Sequence, residues 1–462
     1  MIRYLFVLTI LLWQNPLHSQ EAQTLSLDEY LAYVKKHHPI VKQANLIISE
    51  SQAKLLKARG AFDPKIEVDY ATKEFKGTNY YNQLNSVFKI PTWYGIELKA
   101  ALEENSGDYL NPNLYTSDKK LYQVGAEIAL AKGLLINERM ATLKQAKLYR
   151  SQALVDNQLA VNELLSEATL TYFNWLRAYK EQLIYKEFVV NAKTRLLSIE
   201  KNVELGENPT IDITEAKIAY NNRKLSSEKA NLNYLKASLG LSNFLWIDNI
   251  PLELKESITP DLNTQSEADL ILGIDEFSFD AFEIDQHPKL LSLGFKRASL
   301  KVEKNLQLNN LLPTVNLKYN FLNQTSSELF NNLNPENYKA GVQVQLPLFL
   351  RKERAALKLA NFKLKAIEYD QLQTELSLKN KITAIENEIE SYSKQLILSN
   401  EIVSDYQKLL NAEQRKFELG ESALFYIITR ESKLIENQLK AIEAEYNLLV
   451  SKSNLYNVLS LI

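Results

Sequence analysis

Histidine and cysteine, the side chains that most often bind metals or act as nucleophiles, are scarce in this chain of 462 residues. It has no cysteine, and its four histidines are His18, His37, His38 and His287. The adjacent pair at 37 and 38 ends a predicted helix without a carboxylate at a ligand spacing, so we interpret it as solvated or helix-capping. The lack of cysteine excludes thiol catalysis, disulfide bonds and lipid attachment through an N-terminal cysteine.

Carboxylates are abundant, yet their arrangement predicts no catalytic site. Glu103 and Glu104 are adjacent, but they lie among many charges of both signs. The chain has no glycine-rich phosphate loop, no Gly-x-Ser-x-Gly turn and no His-Glu-x-x-His motif. We therefore predict no catalytic residues, no cofactor, no metal site and no enzymatic activity, since a hydrolase would rest on acidic abundance alone.

Positive and negative charges nearly balance, with 54 Lys and Arg against 56 Asp and Glu and a net charge of −2. This balance excludes a nucleic-acid partner, which requires a basic surface. Glycine and proline number only 12 each, about 2.6% apiece against usual values of roughly 7% and 5%. So few chain breakers predict long uninterrupted elements.

The first 20 residues have the pattern of a secretory signal peptide. Arg3 precedes an apolar run over residues 4–13, and polar residues follow. That run is too short to cross a bilayer as a helix, and the rest of the chain has no run of about 18 apolar residues. We predict cleavage near residue 20 and a mature protein outside the cytoplasmic membrane.

The remaining chain is predicted to be two copies of one unit. Four landmarks of the first copy recur in the same order in the second, at an offset of 249 residues for the first two and of 216 and 214 residues for the last two. The matching pairs are His38-Pro39 with His287-Pro288, Pro64 with Pro313, Gly125 with Gly341, and Gly206 with Gly420. A polar connector at residues 241–276 joins the two copies.

Each copy contains segments in which apolar and polar residues alternate, which predicts half-buried strands. In the first copy they follow Pro64 and include residues 123–130, and in the second they follow Pro313 and include residues 342–346. A soluble sandwich and a transmembrane barrel both use such strands. Segments of about nine or ten residues with aromatic ends favour the barrel, with an apolar face toward lipid and a polar face toward a wet lumen.

The rest of each copy is predicted to be long helix. Residues 137–204 contain neither glycine nor proline, and as one helix they would reach roughly 100 Å. Apolar residues in this segment and in residues 382–410 follow heptad spacing, which is typical of a coiled coil. Gly206 and Gly420 are predicted to end these helices and to form the turns of two helical hairpins.

Two strands per copy give four per chain, which is too few to close a barrel, and an open sheet edge in lipid leaves backbone groups without hydrogen bonds. We therefore predict an α+β membrane protein whose barrel closes by oligomerisation and whose long helices prolong the tube. The predicted segments are a signal peptide at 1–20, first-copy opening helices at 21–64, first-copy strands with an extra hairpin at 65–130, a long helical hairpin at 131–240, the connector at 241–276, a second-copy opening helix at 277–312, a barrel hairpin at 313–347 and a second long helical hairpin at 348–462.

On these residues the chain resembles the TolC family of outer membrane efflux proteins over nearly the whole mature sequence. The match rests on the duplicated His-Pro pairs, on the strand-to-helix turn at residues 346–349, and on the two hairpin tips. The resemblance implies a homotrimer with a twelve-stranded barrel in outer membrane lipid and a twelve-helix periplasmic tunnel. It also implies a passive exit duct for a tripartite efflux pump or type I secretion system, docked to a periplasmic adaptor and an inner-membrane transporter of the RND or ABC type.

The resemblance further implies that the two tips dock the adaptor and gate the tube, although their glycines also fit simple helix turns. The residues it points to are Leu205, Gly206, Glu207, Asp212, Leu419, Gly420, Glu421, Phe425 and Tyr426. The family commonly has aspartate where this chain has Tyr426, so Phe425 and Tyr426 predict a more apolar constriction. We hypothesise that Asp212 pairs with Arg430 or Lys217 in a closed state; attraction to its own helix dipole is the alternative.

The first copy is longer than the second, with 61 residues from Pro64 to Gly125 against 28 from Pro313 to Gly341. Alternation over residues 96–103 predicts that the excess forms an extra hairpin. This hairpin either extends beyond the membrane at the cell surface or joins the barrel and raises the strand count to six per chain. The twelve-stranded barrel of the family favours the first arrangement.

A periplasmic coiled-coil scaffold or adaptor without a barrel is the alternative function. Adaptors carry one helical hairpin, whereas this chain is predicted to have two in register. The strands of this chain also have one polar face, which a barrel uses and a scaffold does not require.

Overall fold

The computed structural model of the protein describes residues 23–115, 120–255, 257–275, 283–328, 331 and 333–460. The predicted signal peptide at residues 1–20 lies outside the described residues, and so do residues 277–282 at the start of the second-copy opening segment. No helix in the described ranges is long and apolar enough to cross a membrane.

Helix dominates the chain, and two helices are unusually long. In chain order the α-helices are α1 (Leu27–His37), α2 (Pro39–Arg59), α3 (Glu138–Glu204), α4 (Ile211–Ser242), α5 (Thr264–Ile271), α6 (Pro288–Asn309), α7 (Arg351–Glu418) and α8 (Leu424–Leu459). Helices α3 and α7 have 67 and 68 residues, and neither contains glycine or proline. The predicted long helices and their hairpin partners are confirmed, because short turns join α3 to α4 and α7 to α8.

The strands lie in the segments where apolar and polar residues alternate. In chain order they are β1 (Gln23–Leu25), β2 (Lys65–Phe75), β3 (Thr78–Pro91), β4 (Ile96–Ser106), β5 (Lys120–Ala129), β6 (Trp246–Ile247), β7 (Ile250–Pro251), β8 (Ile258–Pro260), β9 (Thr314–Asn323) and β10 (Tyr338–Gln345). The fold combines helices and strands as predicted, and it divides into two compact units.

The first unit contains residues up to 44, residues 159–282 and the chain from residue 378 onward. Its largest apolar cluster joins Tyr30 of α1, Tyr172 and Trp175 of α3, Leu241 of α4 and Tyr456 of α8. Two polar atoms of this cluster are paired: the Tyr172 hydroxyl donates to the Leu25 carbonyl at 2.7 Å, and the indole of Trp175 donates to Ser238 Oγ at 3.0 Å. Burial of this much aromatic surface stabilises the unit.

The connector is an ordered part of this first unit. Strand β8 lies in it and pairs in parallel with β1, so that Gln23 is the partner of Ile258. Strands β6 and β7 form a second small ribbon, and α5 packs Ala268 and Leu272 into the same apolar cluster. The described residues of the connector therefore form regular elements despite their polar composition.

The histidines of the two His-Pro pairs cap the helices that follow them. In the first unit, Ile40 N donates to Nδ1 of His38 at 3.2 Å, and the buried ring stacks on Phe244. In the second unit, Lys289 N donates to Nδ1 of His287 at 3.0 Å. Proline directly after each cap suits the first helical position. The predicted capping role of His38 is confirmed.

The second unit, residues 45–158 and 283–377, contains a sheet whose described residues form six strands in the order β10-β9-β5-β4-β3-β2. All neighbours are antiparallel. Strand β5, the last of the first copy, pairs with β9, the first of the second copy. The duplication therefore builds one continuous sheet.

The expectation of four strands per chain, with the extra hairpin outside the barrel, is wrong. The excess residues form β3 and β4, which pair with β2 and β5 along nearly their whole lengths. The alternative, six strands per chain, is the observed arrangement. The physical reason is that strands of 14 and 11 residues satisfy their backbone hydrogen bonds inside the sheet, whereas a free two-stranded hairpin is only marginally stable.

Candidate functional site

The first hairpin tip is a helix C-terminus closed by glycine. Gly206 has a φ of 78°, and its N–H donates to the Val203 carbonyl at 3.0 Å. The Glu207 N–H donates to the Asn202 carbonyl at 2.8 Å. This pair of bonds is the Schellman motif, which requires a left-handed residue that glycine supplies without strain.

The second tip repeats this geometry. Gly420 has a φ of 75° and donates to the Phe417 carbonyl at 3.0 Å, while Glu421 N donates to the Lys416 carbonyl at 2.8 Å. A Cβ added at either glycine would meet no atom within 4 Å. Within the chain, the glycines are therefore needed for backbone conformation and not for close packing.

The structure brings the two tips together. Ile199 of α3, Ala216 of α4 and Leu424 of α8 form one buried cluster, and Phe417 packs against it. Outside this cluster the tip leucines point away from the protein, since Leu205 is 64% exposed and Leu419 is 67% exposed. The tips thus present apolar side chains at one end of the helical hairpins.

Asp212 does not contact the predicted cations. It is the second residue of α4, and its Oδ2 accepts a hydrogen bond from Asn208 Nδ2 at 2.9 Å. Arg430 instead lies near Glu413, with 3.8 Å between Arg430 Nε and Glu413 Oε2. The first-turn position of Asp212 agrees with the dipole alternative.

Phe425 and Tyr426 are the second and third residues of α8. Their rings meet edge to face with 5.7 Å between centroids, and both side chains are more than half exposed. Counted from the helix start, Phe425 and not Tyr426 occupies the place that Asp212 has in α4, because the second turn is one residue shorter. Equal spacing from the tip glycine therefore does not give equal positions in the two hairpins.

The six-stranded sheet has one charged face. Lys99 Nζ lies 2.5 Å from Glu127 Oε2 and 3.5 Å from Glu97 Oε1. Lys89 pairs with Glu67, and Lys318 Nζ lies 3.7 Å from Glu127. Cross-strand ion pairs of this kind connect β2, β3, β4, β5 and β9.

The opposite face of the sheet is apolar and open. Ile66, Val68 and Tyr70 of β2 alternate with charged residues, and Val342 and Val344 of β10 alternate with glutamines. Each of these five side chains is at least 60% exposed. Continuous exposed apolar surface on an ordered sheet is typical of a face that contacts lipid or another protein.

Comparison with known proteins agrees with this geometry. Residues 284–460 match the sequence profile of a family described as outer membrane efflux protein. The resemblance to the outer membrane efflux proteins is confirmed. Members of this family are channels and not enzymes. A comparison with curated proteins finds no match.

Solved structures of outer membrane channels have the same fold. The CmeC channel of Campylobacter jejuni is 14% identical with a TM-score of 0.64, over 94% of this chain and 85% of that one. The VceC protein of Vibrio cholerae is 12% identical with a TM-score of 0.65, over 94% and 96%. The open state of the MtrE channel of Neisseria gonorrhoeae is 13% identical with a TM-score of 0.62, over 94% and 88%.

The structure contains one buried cluster of charged side chains that the sequence analysis did not predict. Glu431 of α8 is buried and pairs with Arg195 of α3 and with Arg223 of α4, whose Nε lies 3.2 Å from Glu431 Oε1. Glu431 occupies the apolar seam between Ile427 and Leu434. A single carboxylate at such a seam position is the signal by which it could have been found.

Across the residues that the structure describes, no three His, Asp or Glu side chains form a group that could hold a metal ion. The predicted tip residues are instead grouped by backbone turns and apolar contacts. In the described part of the chain, the arrangement offers exposed apolar side chains at the tips and a sheet with one charged and one apolar face.

Proposed function

We propose that this protein is an outer membrane channel that acts as the passive exit duct of a tripartite efflux pump or type I secretion system. The observation that carries the proposal is the six-stranded sheet with one charged and one exposed apolar face. Such a sheet suits a barrel wall between lipid and a water-filled lumen. The family match and the shared fold of solved channels support the same role.

The mature protein would reach the outer membrane after removal of residues 1–20 and extend into the periplasm. Its membrane partner is lipid on the apolar face of the sheet. Its protein partners are a periplasmic adaptor and an inner-membrane RND or ABC transporter, which supplies the energy. No cofactor is needed for passive conduction through a tube.

Self-association into a homotrimer is part of the proposal, and an apolar stripe on α4 supports it. Ile211, Ile218, Leu225, Leu232 and Leu239 are spaced seven residues apart. All five are between 48% and 69% exposed. A heptad seam without a partner helix favours packing against another copy of the chain.

The hairpin tips are proposed to dock the adaptor and to gate the periplasmic mouth. The exposed Leu205 and Leu419 offer apolar contacts beside Glu207 and Glu421. Phe425 and Tyr426 would form an apolar constriction in place of an acidic ring. This part of the proposal predicts that Leu205→Asp with Leu419→Asp abolishes export while the oligomer persists. Loss of both together would contradict a docking role.

A deletion strain tests the duct directly. Hypersensitivity to dyes and detergents, restored by the wild-type gene, is expected of drug efflux, and loss of one exported polypeptide is expected of secretion. Absence of both defects would refute the duct.

Fractionation separates the alternative, a periplasmic scaffold or adaptor, from a channel. A barrel resists urea washes, requires detergent for extraction and migrates as a heat-sensitive oligomer. A scaffold is released from membranes by salt or urea.

A further inference from the structure

The inserted hairpin, strands β3 and β4, occupies the middle of the sheet, between β2 and β5. Ala101 of β4 is the partner of both Val87 and Gln123, and Val87 is the partner of Glu67. The row from Glu67 to Gln123 therefore crosses four adjacent strands. A hairpin projecting from a barrel would leave β2 paired directly with β5, which is not the arrangement observed.

The turn between β3 and β4 lies at the end of the sheet that adjoins the helices. Trp93 of this turn stacks on Phe62 with 5.6 Å between ring centroids. Both rings pack against the cluster formed by Leu55, Leu143 and neighbouring alanines of α2 and α3. The opposite end carries the Lys76-Gly77 turn, where both residues have positive φ, as in a type I′ hairpin. The hairpin thus spans the full height of the sheet.

The hairpin also completes the charged face. Lys89 and Lys99, both on the hairpin, pair with Glu67 of β2 and Glu127 of β5. Glu103 of β4 pairs with Lys339 of β10, with 3.1 Å between Nζ and Oε1. Without the hairpin, the carboxylates of β2 and β5 would lose these partners. Its polar side chains are therefore part of the same surface as those of the neighbouring strands.

In the part of the chain that the structure describes, the sheet has two open edges, β2 and β10. Every residue of both strands is exposed, and each edge has unpaired backbone N–H and C=O groups. Because six antiparallel strands alternate in direction, β2 and β10 run in opposite directions and can pair with each other between copies. In lipid such edges must be paired, so a second copy of this chain is the occupant that fits.

We propose that each copy contributes six strands to the barrel wall, with β2 of one copy pairing with β10 of the next. This inference rests on the proposed channel function and on three copies per ring. Three copies of six strands close an eighteen-stranded barrel, not the twelve-stranded barrel that the resemblance implies. Barrel diameter grows roughly linearly with strand number, so the lumen is about 1.5 times as wide. Its lining of paired lysines and glutamates suits bulky cargo and weak ion selectivity.

Disulfide cross-linking tests the position of the hairpin, since the chain has no native cysteine. Ala101→Cys with Gln123→Cys is expected to cross-link within one chain, because partner Cα atoms of adjacent strands lie about 4.5–5.5 Å apart. The matched pair Glu67→Cys with Gln123→Cys is not expected to cross-link. Its two residues lie three strand spacings of about 4.8 Å apart, which exceeds the reach of a disulfide. Two further pairs, Lys65→Cys with Gln123→Cys and Asp69→Cys with Gln123→Cys, test whether β2 pairs directly with β5 in a register shifted by two residues. A cross-link in any of these last three pairs would overturn the six-stranded wall.

The seam between copies is tested in the same way. Cysteines at the polar-face positions of β2 are combined in turn with cysteines at positions 339, 343 and 345 of β10. At least one combination is expected to give dimers and trimers on denaturing gels. Val68→Cys, which faces the opposite side, is expected to give none with the same partners. No oligomer from any combination, while Ala101→Cys still links to Gln123→Cys, would refute closure by a second copy.

These cross-links are read in isolated outer membranes and require no cargo. A deletion strain without any export defect would refute the duct and leave the six-stranded wall intact. An export defect together with a cross-link between a cysteine at position 65, 67 or 69 and a cysteine at position 123 would refute the six-stranded wall and leave the duct intact.

Discussion

Two glycines end the long helices in the same left-handed conformation, and two histidines begin later helices with the same ring nitrogen. At this scale the sequence was informative, because each role is local. A glycine after a long helix and a histidine before proline need only their immediate backbone to act. The pairing of Asp212 with Arg430 or Lys217 is not seen in this structure and stays a prediction for a closed state, since ion pairs depend on packing that spacing alone does not specify.

Substitution of Gly206 by alanine is expected to lower the free energy of unfolding by about 1 kcal/mol, the cost of holding an L-residue in the left-handed region. Loss of helical circular dichroism on heating in detergent measures the effect. Gly240→Ala is the matched control, because Gly240 lies inside α4 and its added Cβ would meet only Thr171 at 3.9 Å. An equal loss in both variants would contradict the explanation by backbone conformation.

Acidification is expected to destabilise the first unit through His38. Burial lowers the pKa of His38, so the unfolded chain binds the proton more readily than the folded one. The stability that the neutral ring contributes is complete above the unfolded pKa of about 6.5 and is lost as the pH falls through the lower folded value.

Thermal unfolding between about pH 5 and pH 8 measures this dependence. His38→Asn keeps an N-cap acceptor but does not titrate, so it is expected to flatten the profile. His37→Asn alters the ring that contacts Tyr33 and is expected to retain the dependence. Identical profiles for wild type and His38→Asn would exclude His38 as the source.

Elements were predicted well where a periodic pattern ran long enough. The lack of chain breakers at residues 137–204 predicted α3 to within one residue, heptad spacing indicated the helix α7 inside the predicted hairpin at 348–462, and alternation located the strands. The predicted number of strands was too small by two, because it left β3 and β4 out of the sheet. Alternation at residues 96–103 had nevertheless indicated the hairpin. Strand pairing is decided by hydrogen bonds and ion pairs between distant segments, such as Lys99 with Glu127, and a family strand count cannot replace them.

Three helices of the first unit meet at Glu431. Glu431→Gln is expected to lower the free energy of unfolding by about 3–5 kcal/mol, because Arg195 and Arg223 would remain buried without a counter-charge. Glu436→Gln is the matched control on the same helix. Glu436 also lies between two cations, Lys433 and Lys440, at 2.8 Å from each, but at the surface, where ion pairs contribute little. Thermal unfolding and trypsin susceptibility measure the difference. Equal behaviour of both variants would contradict a structural role for the buried cluster.

The whole molecule leaves two kinds of surface unsatisfied in a single chain: the open edges of the sheet and the apolar stripe of α4. Both depend on the full chain, because the packing of the other elements decides which strand edges and which helix face stay exposed. Both surfaces would be covered in the proposed association with further copies.

Replacing two stripe residues together, Leu225→Gln with Leu232→Gln, is expected to shift trimers toward monomers in mild detergent. Each leucine contributes about 1.5–3 kcal/mol when fully buried. Lys224→Gln, an exposed neighbour outside the stripe, is the control and is expected to leave the oligomer unchanged. Size-exclusion chromatography with light scattering gives the mass. A trimer that survives the double substitution would exclude the stripe as a subunit contact.

The discontinuous composition of the first unit has a consequence for biogenesis. Its core joins Leu27 near the start of the chain, Tyr172 in the middle and Tyr456 close to the end. Contacts of such long sequence separation form late and slowly. On the proposed route of export, this unit cannot complete its core while the polypeptide is still emerging from an export pore. Its opening segment would stay unpacked until the last turns of α8 are available to it.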